Sequence, residues 1–307
     1  MDLAGALARV ADGTAWRAED PARKASRVRR LCGPEAADGT VVHLDEVLQR
    51  VIARPDLRPV RWLAGGQAVA EAVGLVEAPG GMGTGFLVAP WLLMTNAHVL
   101  PDADEASAAQ VRFCYSEDAD GGVPPTPRLV LDPDRFFESS PVEALDFTVV
   151  AVGAVHGTAD PPGAVFGTIP LVGATGKILE GEPVNIVQHP GGRPKQIAFR
   201  DNRLLSLVDD DVMTYSTDTE VGSSGSPVLN DQWELVGLHR SVLVATDGQG
   251  RPVDRHGRPI DDSTPEALRQ WTANKGTRVS AMVRDLRART YDGGRAALAS
   301  SMLGEGN

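Results

Sequence analysis

The stretch "GSSGSPV", residues 222–228, places three serines around two glycines and ahead of a proline. A serine hydroxyl is a useful nucleophile only beside a base, a group that orients the base, and donors for the oxyanion. "TNAHVL", residues 95–100, follows an apolar run and holds His98 in a turn of small residues. "LDFTVVAV", residues 145–152, places Asp146 at the mouth of an apolar strand, where a carboxylate needs a hydrogen-bond donor.

Taken alone, each of these residues also has a structural interpretation. His98 would be a hydrogen-bonded core histidine, and Asp146 a turn residue at a strand end. Their order along the chain, His, Asp and then Ser, is one of those in which acyl-transfer triads occur. The three stretches together therefore predict nucleophilic acyl transfer.

These stretches resemble the catalytic motifs of trypsin-like serine peptidases, particularly the bacterial branch that includes the glutamyl endopeptidases. The resemblance extends from about residue 70 to about residue 290. It implies a serine endopeptidase with His98 as general base, Asp146 as its partner and Ser224 as nucleophile, acting through an acyl-enzyme. The backbone N–H groups of Gly222 and Ser224 would form the oxyanion hole. Such a mechanism requires no metal ion and no organic cofactor, and its partner is a protein or peptide substrate.

The fold expected from the sequence is mainly β. From about residue 68 onward, short β-branched stretches separated by turn residues predict antiparallel barrels or a sandwich. The resemblance narrows this to two antiparallel six-stranded Greek-key β-barrels of the chymotrypsin type. We expect the first barrel over residues 66–160 and the second over residues 161–307, ending in a C-terminal helix within "GTRVSAMVRDLRART", residues 276–290.

Residues 1–65 differ from the rest, because alanine-rich amphipathic stretches alternate there with Gly and Pro breaks. This pattern predicts a helical N-terminal extension. It would act as a scaffold or as a regulatory segment that binds a partner or blocks the cleft, and a regulated intracellular effector protease is a hypothesis by analogy. The basic run "ARKASRVRR", residues 22–30, is interpreted as the solvated face of a helix.

Net charge, the first residues and the cysteine count argue against nucleic-acid-binding, secreted or membrane-anchored, and disulfide-rich proteins. The net charge of -11 over 307 residues argues against a nucleic-acid-binding surface. The first residues match neither a secretory signal nor a membrane anchor, so we expect a cytoplasmic protein without a membrane partner. Cys32 and Cys114 are too few for a disulfide framework.

The resemblance gives opposing indications of substrate specificity. In glutamyl endopeptidases a histidine in a "GIH"-like strand and a threonine before the nucleophile help to bind the substrate carboxylate; His239 and Thr219 match them. Asp218, however, has the spacing before Ser224 at which trypsin carries the aspartate that binds Arg or Lys. The family's Trp and glycines after the histidine are replaced by residues 240–242, "RSV", which predicts a narrower or more charged pocket mouth.

The sequence also bears on whether the protein needs proteolytic activation and whether it is an active peptidase. Ser223 stands where trypsin has the Asp that pairs with a newly cleaved N-terminal amine, so we expect no activation step of that kind. A catalytically silent peptide-binding or interaction module on the same fold stays open, as does an esterase with the same triad. Covalent labelling of Ser224 separates the silent module from an enzyme.

Overall fold

The computed structural model describes residues 2–33, 41–52, 57–247, 249–254, 256–261, 264 and 268–304. Helices occupy both ends of the chain and β-strands its middle. The predicted mainly β class with terminal helices is therefore confirmed. Within these ranges no helix has the length and apolar character needed to cross a lipid bilayer.

Six antiparallel strands close into the first barrel. They are β1 (Val73–Ala78), β2 (Gly81–Ala89), β3 (Leu92–Thr95), β4 (Gln110–Arg112), β5 (Arg128–Ser140) and β6 (Phe147–Val152), and they follow the order β1-β2-β3-β6-β5-β4. Every residue of β6 is buried. Val150 and Val152 belong to the barrel core, whereas Val149 and Ala151 belong to a second core shared with the rest of the protein. Both faces of β6 are thus covered, which explains its continuous apolar sequence.

Seven strands form the second sheet. They are β7 (Asn185–Gln188), β8 (Gln196–Ala198), β9 (Arg203–Leu207), β10 (Val212–Ser216), β11 (Pro227–Leu229), β12 (Leu235–Val244) and β13 (Trp271–Arg278), in the order β8-β7-β11-β12-β13-β10-β9. The sheet curls until its ends meet: Pro183 bridges Arg203, and the Leu204 N–H donates to the Glu182 carbonyl at 2.9 Å. All strands except β8 lie in this ring.

The second sheet differs from the predicted six-stranded barrel by the additional strand β8. The chain turns after β7 at Gly191 and Gly192, whose φ angles of 63° and 66° suit glycine. It then returns alongside β7, with Gln196 opposite Gln188.

Two helices follow the second sheet. α7 (Val279–Arg287) begins directly after β13, which confirms the predicted C-terminal helix, and α8 (Gly293–Leu303) comes after it. Their side chains, such as Met282 and Met302, share one core with Phe86 of the first barrel and Leu238 of the second sheet. The C-terminal helices therefore join the two β-structures.

In the described residues, four α-helices precede the barrels: α1 (Leu3–Ala11), α2 (Pro21–Cys32), α3 (Val41–Ile52) and α4 (Arg61–Glu71). Two short helices, α5 (Ala103–Ala108) and α6 (Pro162–Phe166), lie between strands. α4 continues past residue 65, where we expected the extension to end, and β1 starts at Val73. Trp62 of α4 packs on Trp233 of the β11–β12 turn in the second sheet, with ring centroids 4.6 Å apart and ring planes tilted by 36°. This helical region packs on the second sheet.

The basic run on α2 is only partly a solvated face, because Arg29 is exposed whereas Lys24 and Arg27 are buried. Arg27 is only 2% exposed, and its Nε lies 2.9 Å from Glu182 Oε2. Lys24 Nζ lies 3.0 Å from Asp45 on α3. The sequence shows the basic residues of this helix, but it does not show their acidic partners, because these lie far away along the chain.

Candidate active site

The predicted base and its partner lie side by side. His98 Nδ1 lies 2.9 Å from Asp146 Oδ2 and 3.2 Å from Oδ1. The backbone N–H of His98 also donates to Asp146 Oδ1, at 3.1 Å. Because an ionised carboxylate only accepts hydrogen bonds, this contact places the imidazole proton on Nδ1 and leaves Nε2 as an acceptor. A general base acting on a hydroxyl needs this tautomer.

Asn96 joins the two motifs. Its backbone carbonyl accepts the N–H groups of Val99 and Leu100, which makes the tight turn that carries His98. Its side-chain Nδ2 donates to the backbone carbonyl of Asp146 at 2.7 Å. The turn after β3 and the entry to β6 are therefore fixed to each other.

Asp146 is buried and its backbone is strained. The residue is 1% exposed, and its φ of 50° lies in the left-handed region, which is uncommon for a residue with a side chain. Besides the two contacts from His98, Arg240 Nε approaches Asp146 Oδ2 at 3.4 Å. The carboxylate at the mouth of the strand is thus held by several donors, as burial of a charge requires.

The three serines of the glycine-flanked loop differ in exposure. Ser223 and Ser226 are fully buried, whereas Ser224 is partly exposed. Ser223 Oγ accepts the backbone N–H of Glu220 at 3.2 Å. Ser226 Oγ is enclosed and has no partner within the described ranges. Ser224 is therefore the serine of this loop that a substrate can reach.

Gly83 of β2 lies between the histidine turn and the serine loop. A Cβ placed on Gly83 would lie 2.7 Å from Val99 Cγ2 and 3.2 Å from the Ser224 carbonyl oxygen. The residue after His98 and the predicted nucleophile thus pack against the same point of the first barrel. Among the described residues, the Ser224 hydroxyl has no hydrogen bond. Such bonds are often long without substrate and shorten when it binds.

Both glycines of the serine loop are required by close backbone contacts. A Cβ on Gly222, whose φ is 94°, would lie 2.6 Å from the His189 carbonyl oxygen. A Cβ on Gly225, whose φ is 85°, would lie 2.1 Å from the Thr84 carbonyl oxygen. Across the described ranges, the backbone N–H groups of Gly222 and Ser224 take part in no hydrogen bond, so both are available to an oxyanion.

Thr84 holds the serine loop, and the sequence analysis missed it. This fully buried residue of β2 donates its N–H to the Ser224 carbonyl at 2.8 Å. Its Oγ1 donates to the Gly222 carbonyl at 2.8 Å and accepts the His189 N–H at 3.0 Å. A signal was present: Thr84 has a glycine on each side within a strand, and such glycines mark close approach of another backbone.

Comparison with known proteins identifies the family of this chain. A family model described as "Trypsin-like peptidase domain" matches residues 83–238, which include Thr84, His98, Asp146 and Ser224. This chain belongs to the trypsin-like peptidase family.

Several relatives of this peptidase are known. Uncharacterized protein y4fB of Sinorhizobium fredii (strain NBRC 101917 / NGR234) is 35% identical over 263 residues, covering 80% of this chain and 40% of that protein. This chain thus spans about two fifths of that relative's length. A mutant of Rv3671c from M. tuberculosis H37Rv in its inactive form has a TM-score of 0.46 and 18% identity, covering 78% of this chain and 99% of the other. A Glu endopeptidase in complex with MPD has a TM-score of 0.45 and 17% identity, covering 72% and 92%.

Two of the predicted specificity residues of this peptidase line a polar cavity of about 720 Å³. Asp218 and Thr219 form part of its wall, immediately before the serine loop. Thr219 Oγ1 donates to Asn274 Oδ1 at 2.6 Å, and Gln188 Nε2 donates to the Asp218 carbonyl at 3.0 Å. The charged side chains around this cavity are the carboxylates of Asp201, Asp218 and Glu220 and the guanidinium of Arg200.

The third predicted specificity residue, His239, lies outside the wall of that cavity. It is 2% exposed, and its Nδ1 lies 2.7 Å from the Tyr215 hydroxyl. Burial, with a smaller effect from the charge of His98, lowers the pKa of His239 to about 3. The imidazole of His239 is therefore neutral near pH 7.

Arg240 does not line this cavity, so it does not supply the additional charge expected from "RSV", whereas the narrower mouth stays a prediction. β12 has a bulge between His239 and Ser241, which pair with Gly276 and Lys275. Arg240 is the extra residue, and a bulge redirects the side chain it carries. Its guanidinium faces Asp146 instead.

Proposed function

We propose that this protein is a serine endopeptidase that cleaves peptide bonds through His98, Asp146 and Ser224. The observation that carries the proposal is the His98–Asp146 pair, which leaves Nε2 as an acceptor, together with Ser224 as the exposed serine of a glycine-flanked loop. Thr84 and Gly83 pack this loop against the barrel that carries the pair.

The proposed reaction has two acyl-transfer steps. Ser224 Oγ attacks the substrate carbonyl carbon while His98 Nε2 takes the hydroxyl proton. The resulting oxyanion accepts hydrogen bonds from the Gly222 and Ser224 N–H groups. The C–N bond then breaks, and His98 returns the proton to the leaving amine. In the second step, water attacks the carbonyl carbon of the acyl-enzyme while His98 takes a proton from it. The bond to Ser224 Oγ then breaks, His98 returns the proton to Ser224, and the acid product is released.

Asp146 acts on the imidazole and not on the substrate. Its carboxylate fixes the tautomer of His98 and stabilises the imidazolium formed during attack. The strained backbone at Asp146 and the contact from Asn96 support this function, because they fix the carboxylate in one orientation.

The cavity beside the serine loop would receive the substrate side chain that precedes the cleaved bond. Its wall carries three carboxylates and one guanidinium, and Arg193 pairs with the Glu220 carboxylate at 2.6 Å. These five groups together leave one negative charge in excess, which favours a basic or neutral polar side chain over an acidic one. His239, which is neutral and bonded to Tyr215, offers no positive charge to a glutamate. We therefore prefer the Asp218-based specificity to the His239-based one.

Regulation through residues 1–65 stays a prediction. The contacts of α2 support a scaffold role, because Arg27 of the extension forms an ion pair with Glu182, which lies before strand β7 of the second sheet. Ser223, bonded to the Glu220 N–H, supports a peptidase that needs no newly cleaved N-terminus.

Fluorophosphonate labelling and peptide-library cleavage test the proposal together. Wild type, Ser224→Ala and the matched control Ser226→Ala are compared, since Ser226 Oγ lacks a partner in the described chain. We expect labelling and cleavage in wild type and Ser226→Ala, and a loss of about 10⁴- to 10⁶-fold in Ser224→Ala. If folded wild type neither reacts nor cleaves, the silent binding module replaces the peptidase.

The same library decides specificity. We expect cuts after Lys, Arg or neutral polar residues, with the preference for basic residues reduced in Asp218→Asn. Asp210→Asn is the control, because Asp210 is exposed and lies outside the cavity wall. Cleavage mainly after Glu would instead favour the His239-based pocket.

A further inference from the structure

The Arg240 side chain reaches the Asp146 carboxylate of the first barrel from strand β12 of the second sheet. Its Nε lies 3.4 Å from Asp146 Oδ2, the oxygen that also accepts the His98 Nδ1 proton. The Arg240 side chain is only 12% exposed. A largely desolvated cation therefore shares an acceptor with the catalytic imidazole.

The guanidinium also holds the turn that carries Asp146. Arg240 Nη1 donates to the Ala144 carbonyl at 2.9 Å, and Nη2 donates to the Val142 carbonyl. Three nitrogens of one side chain thus contact one short segment of the first barrel, residues 142–146. A planar guanidinium suits this geometry, because its donors are fixed in one plane and directed along it.

The position of Arg240 results from the β-bulge described above. In a strand without the bulge, the Arg240 side chain would point to the opposite face of the sheet from the His239 side chain. The extra residue re-aims the side chain across the interface between the two sheets. The contact between Arg240 and Asp146 therefore depends on the backbone geometry of β12. It is a largely buried ion pair and not an exposed surface pair, which would contribute little to stability.

The charged and titratable groups that face His98 come from both β-structures. Asp146 lies on the turn before β6, and Arg240 and His239 lie on β12. His239 is buried, uncharged near pH 7 and bonded to Tyr215 of β10. Arg240 thus offsets part of the attraction that Asp146 exerts on an imidazolium at His98.

We infer that Arg240 is a positioning residue of the triad, which holds the Asp146 carboxylate and its turn and whose charge sets the pH at which His98 becomes available as a base. The inference rests on the proposed function. It assigns Arg240 an electrostatic role in addition to a mechanical one, and the two roles are separable by substitution.

The test measures the rate of fluorophosphonate labelling against pH, from pH 5 to 9, on the full chain. Arg240→Lys keeps the charge, while Arg240→Gln and Arg240→Met remove it, and Met fills the space of the stem if Gln does not fold. Arg284→Gln is the control, because Arg284 is exposed on α7 and pairs with Asp211. Thermal unfolding of each variant accompanies the labelling.

We expect the neutral variants to need a higher pH for half of their limiting rate, by about 0.5 to 1 pH unit, because an imidazolium at His98 gains stability when the cation is removed. Arg240→Lys should keep the wild-type midpoint but label more slowly, since an ammonium cannot contact three acceptors in one plane. Arg284→Gln should match wild type.

An unchanged midpoint in the folded neutral variants would overturn the inference while leaving the proposed function intact. A shift in Arg240→Lys as large as that in Arg240→Gln would also overturn it, because charge would then not be the cause. Failure of wild type to label at any pH would overturn the proposed function, and this inference with it.

Discussion

Thr84 of the first barrel donates its backbone N–H to the carbonyl of Ser224 in the second sheet, at 2.8 Å. Its hydroxyl extends the contact to Gly222 and His189. One residue of β2 thus fixes both ends of the segment that contains the nucleophile and the two proposed oxyanion donors. The relative position of the two β-structures and the geometry of the serine loop are therefore set by the same few hydrogen bonds.

Thr84→Val tests this coupling. Valine keeps the shape but leaves the Gly222 carbonyl and the His189 N–H without their partner in a buried site, which costs about 1 to 3 kcal/mol for each unsatisfied group. We expect a lower free energy of unfolding and slower fluorophosphonate labelling of Ser224. Urea unfolding and labelling kinetics measure the two effects. Thr84→Ser, which retains the hydroxyl, should lose much less, and an equal loss in both variants would exclude the hydroxyl as the cause.

Asp146→Asn tests the orientation of the imidazole. An amide in place of the carboxylate can donate to His98 Nδ1, which moves the ring proton to Nε2 and removes the acceptor that Ser224 needs. We expect kcat to fall by about 10⁴-fold while the fold is retained. Steady-state kinetics on a cleaved peptide and circular dichroism provide the check. A loss of less than tenfold would mean that Asp146 serves the structure of the turn and not the base.

The sequence predicts the three residues of the proposed triad, and the structure brings two of them, His98 and Asp146, into contact. His98 and Asp146 are polar residues at the ends of strands that are otherwise apolar, and such exceptions stand out from the pattern of burial. Ser224 was chosen among three serines by resemblance, and its exposure agrees with that choice. Local sequence carries this information because each motif is a single turn.

The supporting residues could not be predicted in the same way, because their partners are distant along the chain. The contact between Thr84 and Ser224 depends on how two separate sheets pack. Arg240 was expected at the pocket mouth but contacts Asp146, because the alternation of side chains along β12 fails at its bulge. The basic run on α2 showed its charge but not that Arg27 reaches Glu182.

Arg27→Met tests the role of the N-terminal extension. Glu182, which is 4% exposed, would lose the partner of its carboxylate, and breaking a buried ion pair from one side costs about 3 to 5 kcal/mol. We expect a lower free energy of unfolding, with unchanged labelling of Ser224 per folded molecule. Chemical unfolding and labelling at matched folded fractions check both expectations.

The double variant Arg27→Met with Glu182→Gln is the matched control for this experiment. It removes the unpaired charge and should recover much of the lost stability. If Arg27→Met instead increases labelling per folded molecule, the extension restrains the active site, and the regulatory alternative for residues 1–65 gains support over the scaffold.

Because His189 is buried, we expect the free energy of unfolding to fall in mild acid. Its Nδ1 donates to the Arg193 carbonyl at 3.0 Å, its Nε2 is enclosed, and burial lowers its pKa from 6.5 to about 4. Between these values the unfolded chain binds a proton that the folded protein does not. Folding stability therefore falls as the pH drops from about 6.5 to about 4, by about 1.4 kcal/mol per pH unit for a fully shifted group. Urea unfolding at pH 6.5 and pH 4.5 measures this difference.

The substitution His189→Gln should remove this part of the pH dependence. The exposed His156 provides the control, since His156→Gln should leave the pH dependence of unfolding as in wild type. Some dependence should persist in His189→Gln, because His239 is buried and its pKa is also lowered. An identical difference between pH 6.5 and pH 4.5 in wild type and His189→Gln would show that His189 becomes protonated in the folded protein at ordinary pH. The folded protein would then have to accommodate a charged imidazolium in a buried site where His189 Nε2 has no partner among the described residues.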